Sequence, residues 1–545
     1  MRVVKSSRAR AKKVLRRNPP KLKIAHRLRE RYLGTMDSLV DLLRESARSY
    51  GVSPAICFQN RVITHAQFDH LTDRVAAGLV EKGVAPGDRI ALYCVNSDAF
   101  ALAYFGILKA GATVVPINLL LNHKEVAFIL NDAGAKGLIY FEAFVDSVKS
   151  CRLQVASCTL QVCIGASNLL KDVPFAELLA STAPTPQPAL STDSLAAILY
   201  TSGTTGHPKG AMLSHGNLAA NVNSIRQAMK LEPGRDVLLC ALPMFHAFAA
   251  TVCMIFPLTH GCTVVPVPKF DPAVVADLIA TYQATVFPAV PSMFNVMLRL
   301  PDSAVPKLAS LKFAVSGGAA MPMEIMRQFE AKFGKLIYEG DGPTECSPVT
   351  CVNPIGGLRK PASVGLPVPD VQMKIVDDHG QELPHGTVGE IVVRGPNVMK
   401  GYWNQPAETA ASFFGEWFRT GDLGTEDNDG YFCIVDRKKD LVIVNGMNVY
   451  PRVIEEVLYQ HPAVREAAVV GQPDTLHGEV PVAYVALKEG TTATAEELRT
   501  FCRDNLGRHE IPRHIHLIPA LPKNAAGKIM KRELRKGGEV ERGVS

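Results

Sequence analysis

Apolar residues in this chain fall into short continuous runs separated by longer stretches of helical period. Arg89–Cys94 predicts a buried strand, Ala99–Ala110 a helix that stops at Gly111, and Thr113–Ile117 the next strand. This alternation extends from Met36 to about Asp193 and predicts a parallel sheet with helices on its faces. After a surface loop at Ser181–Pro188 comes a second series of buried strands: Leu195–Tyr200, Val237–Leu242, Thr263–Val267, Thr285–Phe287 and Lys312–Val315. Helical stretches separate them, so a second α/β layer is expected. Beyond Pro361 the strands Val371–Val376, Val388–Val393 and Tyr431–Val435 are joined by Gly- and Asp-rich turns, which predicts a small β-rich unit.

From Asp440 the order is strand, helix, strand, strand, helix, strand, over Leu441–Val444, Pro451–Gln460, Glu466–Val470, Val482–Leu487, Ala495–Asn505 and His514–Ile518. Pro451 suits a first helical turn, and Val453, Ile454, Val457 and Leu458 share one face. The expected fold is α/β: a large N-terminal domain over 36–436 with two α/β sheet layers and the β-rich unit, then a small, mobile α+β C-terminal domain over 437–545. No internal repeat is visible.

A length of 545 residues exceeds what one core supports, and 47% hydrophobic with 20% charged residues is an ordinary globular balance. The twelve cysteines show no CxxC pair and no metal spacing, so they read as buried small apolar residues in a reducing, cytoplasmic setting. The net charge of +7 is unevenly placed. Met1–Thr35 holds thirteen Lys or Arg against one acid, a charge of +12 that leaves −5 for the remainder. A mildly acidic body argues against a nucleic-acid partner. The leader over 1–35 lacks an apolar core and is no secretory signal. It reads as a disordered segment or a start set too far upstream, with peripheral contact to anionic membrane and targeting as alternatives. The apolar stretch Ala241–Leu258 just reaches spanning length. Pro243, His246 and Pro257 interrupt it, so it reads as a buried loop and helix.

The densest chemical signal is Tyr200-Thr-Ser-Gly-Thr-Thr-Gly-His-Pro-Lys-Gly210. A buried strand runs into a loop where Gly203 and Gly206 let backbone N–H groups approach an anion. Thr201, Ser202, Thr204 and Thr205 add hydroxyl donors, and Lys209 adds a charge. That set suits a polyphosphate, although the spacing is not that of a Walker A loop.

This stretch resembles the phosphate loop of adenylate-forming enzymes, the superfamily of acyl-CoA synthetases, adenylation domains and luciferase. Further motifs of that superfamily follow in order: Leu242-Pro-Met-Phe-His-Ala247, Ser316-Gly-Gly-Ala-Ala320, Glu339-Gly-Asp-Gly-Pro-Thr-Glu345, Trp417-Phe-Arg-Thr-Gly-Asp422, Asp436-Arg-Lys-Lys-Asp440 and Pro522-Lys-Asn-Ala-Ala-Gly-Lys528. The resemblance implies ATP, Mg²⁺ and CoA as reactants and cofactors. A carboxylate attacks the α-phosphate, pyrophosphate leaves, and the CoA thiol then displaces AMP. The carboxylate is already ionised at neutral pH, so the task is alignment and charge screening rather than proton removal.

By resemblance, Glu345 and Thr204 hold Mg²⁺, and Lys528 stabilises the transferring phosphate. Gly318, Ala319, Asp341, Gly342, Thr344, Asp422 and Arg437 join the phosphate loop in binding ATP or AMP, with Asp422 on the ribose. His246, Phe245, Gly317 and Gly318 border the acyl group. Lys439 is a hinge about which the small domain rotates to bring the CoA-binding loop with Gly446 and Met447 to the site. Read locally, Asp422 before Leu423-Gly424 would be only a turn residue. Asp341 stands where the superfamily usually carries an aromatic ring against adenine, leaving Tyr338 as a substitute or no stacking contact at all.

Residues 444–458 and Gly401-Tyr-Trp-Asn404 are most similar to medium- or long-chain fatty acyl-CoA synthetases. The expected partners are therefore a carboxylic acid, ATP and CoA. Carrier-protein loading is the alternative within the superfamily, and a lipid-binding protein with weak catalysis is the alternative outside it.

Overall fold

The computed structural model describes residues 38–540 apart from 167–169, 202–207 and 525–526, with the backbone alone over 536–540. The basic leader lies outside the described residues. Two large sheets form the frame. The first has seven strands in the spatial order Val173–Pro174, Leu160–Ile164, Gly137–Phe141, Arg89–Tyr93, Thr113–Pro116, Leu195–Thr201 and Lys209–Ser214. All its pairings are parallel except the last, a hairpin between Leu195–Thr201 and Lys209–Ser214.

The second sheet has nine strands, in the order Leu366–Pro367, Cys351–Val352, Ile337–Asp341, Phe313–Ser316, Val286–Ala289, Val237–Cys240, Thr263–Pro266, Pro54–Phe58 and Arg61–Thr64. Three strands sit differently from the linear reading. Leu195–Thr201 joins the first sheet, and the early hairpin Pro54–Phe58/Arg61–Thr64 crosses into the second. Leu195–Thr201 and Pro54–Phe58 are apolar enough to be buried on both faces, so chain order alone does not say which sheet they enter, and Arg61–Thr64 follows its hairpin partner at the edge.

Between the sheets lies the helix Asp98–Lys109, capped by the Ser97 side chain. Phe100, Tyr104 and Phe105 are at most 1% exposed. A Cβ at Gly106 would sit 2.3 Å from Val75, so this glycine lets the helix lie directly against His65–Glu81. Lys109, wholly buried, is neutralised by Asp69 and Asp73 at 2.6 and 2.7 Å. The apolar stretch Ala241–Leu258 is internal: a loop, then the π-helix Ala249–Ile255, whose residues are all buried. No helix among the described residues is long and apolar enough to cross a membrane. All twelve cysteines are free thiols, and all but Cys433 are buried.

A third, antiparallel sheet comprises Gln372–Val376, Gly389–Arg394, Trp417–Glu426, Phe413–Phe414 and Phe432–Arg437. A short turn, Lys438–Asp440, leads from it into a fourth sheet of Met447–Val449, Val442–Val444, Gly478–Leu487, Val464–Asp474 and His514–Leu517. The helices Pro451–Gln460 and Ala495–Asn505 pack Ile454, Leu458, Leu498 and Cys502 into a separate core there.

Candidate active site

The parallel strands of the second sheet end along one edge. Val237–Cys240 leads into residues 241–248, Val286–Ala289 into Val290, Phe313–Ser316 into Gly317 and Gly318, and Ile337–Asp341 into Gly342 and Thr344. In open α/β sheets, clefts form beyond such carboxyl ends. Here a mainly apolar cavity encloses about 620 Å³, open mouth included. Ile225, Ala228 and Met229 line it from the helix His215–Met229, facing Phe248, Val252, Gly317 and Gly318. A Cβ on Gly317 would lie 3.2 Å from the Phe248 ring and 3.3 Å from the Gly340 carbonyl, so a larger residue would crowd this wall. Asp341, Gly342 and Thr344 add the polar part of the lining.

Charges gather beside it. Asp422 lies mid-strand in Trp417–Glu426, directly across from Arg437, and its Oδ1 is 2.9 Å from Arg437 Nε. Burial raises the Asp422 pKa, while Arg437, Lys528 and Lys439 oppose that rise. Asp341 is pushed up to about 6 by burial and then by the Asp422 charge. Lys528 is pushed down to about 8 by burial and then by Arg437, with Asp422 pulling the other way. His246 is pushed down to about 4 by burial and then by the Lys528 charge, so its imidazole is neutral at pH 7. Its Nδ1 accepts from the Phe248 N–H at 3.3 Å. A small side cavity lined by His246, Phe248, Val290, Gly318, Asn524 and Lys528 joins the two domains here.

On the phosphate side, Lys209 opens the strand Lys209–Ser214 and Thr201 closes Leu195–Thr201. Ser202, Gly203, Thr204, Thr205 and Gly206 lie outside the described residues. Lys209 Nζ is ion-paired with Glu408 and sits 5.3 Å from the centre of the Tyr402 ring. The Tyr402 hydroxyl donates to Glu345 Oε1 at 2.7 Å. Among the described residues no group of three or more His, Cys, Asp or Glu is placed to hold a metal ion. A Mg²⁺ carried by a nucleotide needs only one or two carboxylates beside phosphate oxygens and water, and Glu345 fits that need.

Two family models match the chain: AMP-binding enzyme over residues 43–403, and AMP-binding enzyme C-terminal domain over 453–528. The chain belongs to the AMP-binding enzyme family. It is 36% identical over 533 residues to a long-chain-fatty-acid–CoA ligase of Bacillus subtilis, covering 91% of this chain and 94% of that one. Among solved structures, it is similar to ATP-bound MatB from Rhodopseudomonas palustris, with a TM-score of 0.84 and 32% identity. That match covers 91% of this chain and 98% of the other. It is also similar to an anthranilate CoA ligase in complex with anthranoyl-AMP, with a TM-score of 0.86 and 29% identity over 93% of this chain and 98% of the other.

In this AMP-binding enzyme the cavity and its mouth bring together His246, Gly317, Gly318, Asp341, Gly342, Thr344, Asp422, Arg437 and Lys528. Ala319 is half-buried next to Gly318. Phe245 is buried in the core rather than on the cavity wall, and Phe248, three residues on, supplies the ring there. Lys439 lies in the turn Lys438–Asp440, between the third and fourth sheets. Gly446 and Met447 are exposed at a hairpin tip that contributes nothing to the cavity lining.

Tyr338 does not substitute for a ring at Asp341. Successive strand residues face opposite ways, and Tyr338 packs against Phe313 at 5.6 Å. The stretch Ala247–Ala250, expected along the acyl group, contains Phe248, whereas sequence reasoning did not single out Tyr402 or Glu408. Of these, Tyr402 lies in the Gly401–Asn404 motif, the one signal that could have found it.

Proposed function

We propose that this AMP-binding enzyme activates a medium- or long-chain fatty acid as its acyl adenylate and passes the acyl group to CoA. It is an AMP-forming acid–thiol ligase. The observation that carries the reading is the meeting of an apolar cavity with a group of charges: Lys528 lines a small side cavity with Phe248 and Gly318, and the Arg437–Asp422 pair acts on Lys528 electrostatically.

The acid's tail occupies the cavity and its carboxylate points to the mouth. Asp422 accepts from the ribose hydroxyls, an acceptor-only role suited to a carboxylate. One acid oxygen forms a bond to the α-phosphorus, and the bond to the bridging oxygen breaks as pyrophosphate leaves. Lys528 is protonated at neutral pH and places its charge where negative charge accumulates on the phosphoryl oxygens. Mg²⁺ would be held at Glu345, where it supplies charge neutralisation for the triphosphate. The neutral His246 adds no competing cation beside Lys528 and closes the acyl wall.

In the second step a C–S bond forms at the acyl carbon, the bond to AMP breaks, and the thiol proton passes to solvent. A turn of the small domain about Lys439 would withdraw Lys528 and bring the hairpin with Gly446 and Met447 to the mouth. Carrier-protein loading is the less favoured acceptor reading.

The test is AMP release measured over acids of increasing length, with and without CoA. The ligase reading expects CoA-dependent turnover that rises with chain length up to the cavity's limit. Release indifferent to CoA would refute it. Lys528→Ala should lose adenylate formation while still binding ATP.

A further inference from the structure

Three of the polar contacts between the small domain and the large one cluster around two helices of the large domain; another, from the Arg452 N–H to Asp436 Oδ2 at 2.9 Å, lies apart from them beside the turn between the domains. Ser292 and Asn295 stand one turn apart on the helix Pro291–Met297 and so share a face. Ser292 Oγ donates to the Gly527 carbonyl at 2.9 Å, next to Lys528. Asn295 Nδ2 donates to the Arg465 carbonyl at 2.9 Å. The third point is the helix Met323–Phe333. Its N-cap residue is Pro322, and no side chain of its own caps it. Glu456, from the small-domain helix Pro451–Gln460, accepts from the Met323 N–H at 3.3 Å and supplies the missing cap from across the interface.

Gly527 shows how close this contact is. Its φ is +79°, and a Cβ there would lie 2.7 Å from Ser292 Oγ. The backbone that carries Lys528 is therefore seated directly on the Ser292 helix.

We propose that Ser292, Asn295 and Glu456 are positioning residues: a latch that holds the small domain in the pose presenting Lys528 to the phosphate, and that must open for the second half-reaction. None of the three sits where the acid or nucleotide binds in the proposed site. The inference rests on the two-pose reading above, which it deepens by naming what stabilises one pose. It also explains why a surface-helix glutamate and an asparagine with no substrate to contact point into the domain interface.

The test separates the half-reactions. Adenylation is read as dodecanoate-dependent ATP–pyrophosphate exchange. Thioester formation is read from synthetic dodecanoyl-AMP and CoA. Asn295→Ala and Glu456→Ala each remove one hydrogen bond and are expected to slow exchange roughly 3- to 10-fold. Thioester formation should be unchanged or faster. The double variant should show the product of the two effects, because the contacts lie on different helices. Glu456→Gln keeps an acceptor for Met323 and should recover most of the exchange.

Equal losses in both half-reactions, or no loss in either, would overturn the latch. Unchanged thermal midpoints accompany the expected result and exclude a general folding defect. Lys528→Ala distinguishes the underlying reading: if it keeps full exchange, the two-pose scheme fails and the latch with it. If it loses exchange while the latch variants do not, the latch alone is wrong.

Discussion

Glu339 is a carboxylate in the wrong solvent. It is 2% exposed, its Oε1 accepts from the Met321 N–H at 2.9 Å, and its Oε2 has no hydrogen-bond partner. Burial pushes its pKa from 4.5 to about 7, against the pull of Arg452 on the small domain. Such a shift is worth roughly 3 kcal/mol of preference for the neutral acid. Because the folded-state value is the higher one, the associated stability is full below the unfolded value of about 4.5. It is lost as pH rises through about 7.

Glu339→Gln removes that loss. The amide keeps the acceptor for Met321 but places an N–H₂ where Oε2 finds no partner, at a cost of about 1 kcal/mol. The net expectation is a gain of about 2 kcal/mol at pH 8 and almost no change at pH 5, where the charging penalty that is removed, about 1 kcal/mol, matches the cost of the amide. In a chain of this size that corresponds to a thermal midpoint roughly 2 °C higher at pH 8 and nearly unchanged at pH 5. Differential scanning calorimetry of both proteins at pH 5, 6.5 and 8 checks it. A shift of the same sign and size at all three values would refute the reasoning, since it would show that Glu339 does not change charge over this range.

Other expectations are simpler. Glu408→Gln frees Lys209 from a competing anion that is 42% exposed; KM for ATP should fall about 2- to 5-fold with kcat little changed, in initial-rate assays at low salt. Asp341→Tyr places a ring on the cavity wall; KM for ATP should fall roughly 3- to 10-fold, and an unchanged KM would show that no base stacks there. Ala228→Phe fills space between the helix His215–Met229 and Phe248; turnover of dodecanoate should drop more than about 10-fold while butyrate is spared, measured by AMP release.

Local rules read some elements to the residue. Pro451–Gln460 and Ala495–Asn505 match the expected bounds because a proline opens the first and Thr494 forms a capping box for the second. Asp422 shows where those rules fail. Leu423-Gly424 suggests a turn, yet the chain continues as a ten-residue strand. Gly424 is needed there because a Cβ would lie 2.6 Å from the Cys433 carbonyl of the neighbouring strand. The long-range pairs were silent in the sequence: Lys209 meets Glu408 across 199 positions, and Tyr402 meets Glu345 across 57. Phe245 and Phe248 are equivalent in composition, and only the geometry of the loop decides which ring faces the cavity.

The thiol-rich interior has a consequence for an enzyme whose proposed co-substrate is itself a thiol. The oxidised dimer of CoA can exchange with an accessible protein thiolate, which forms a mixed disulfide and releases one CoA thiol, and each exchange would leave a bulky adduct on the enzyme. Here burial pushes Cys57 and Cys94 up to about 12 and Cys158 and Cys502 up to about 11, and Cys433, the one thiol partly open to solvent, is also raised. Thiolate is scarce at every one of these positions at pH 7. These cysteines thus coexist with a sulfur nucleophile without rivalling it, and turnover in an oxidising shift should stall for want of reduced CoA before they are modified.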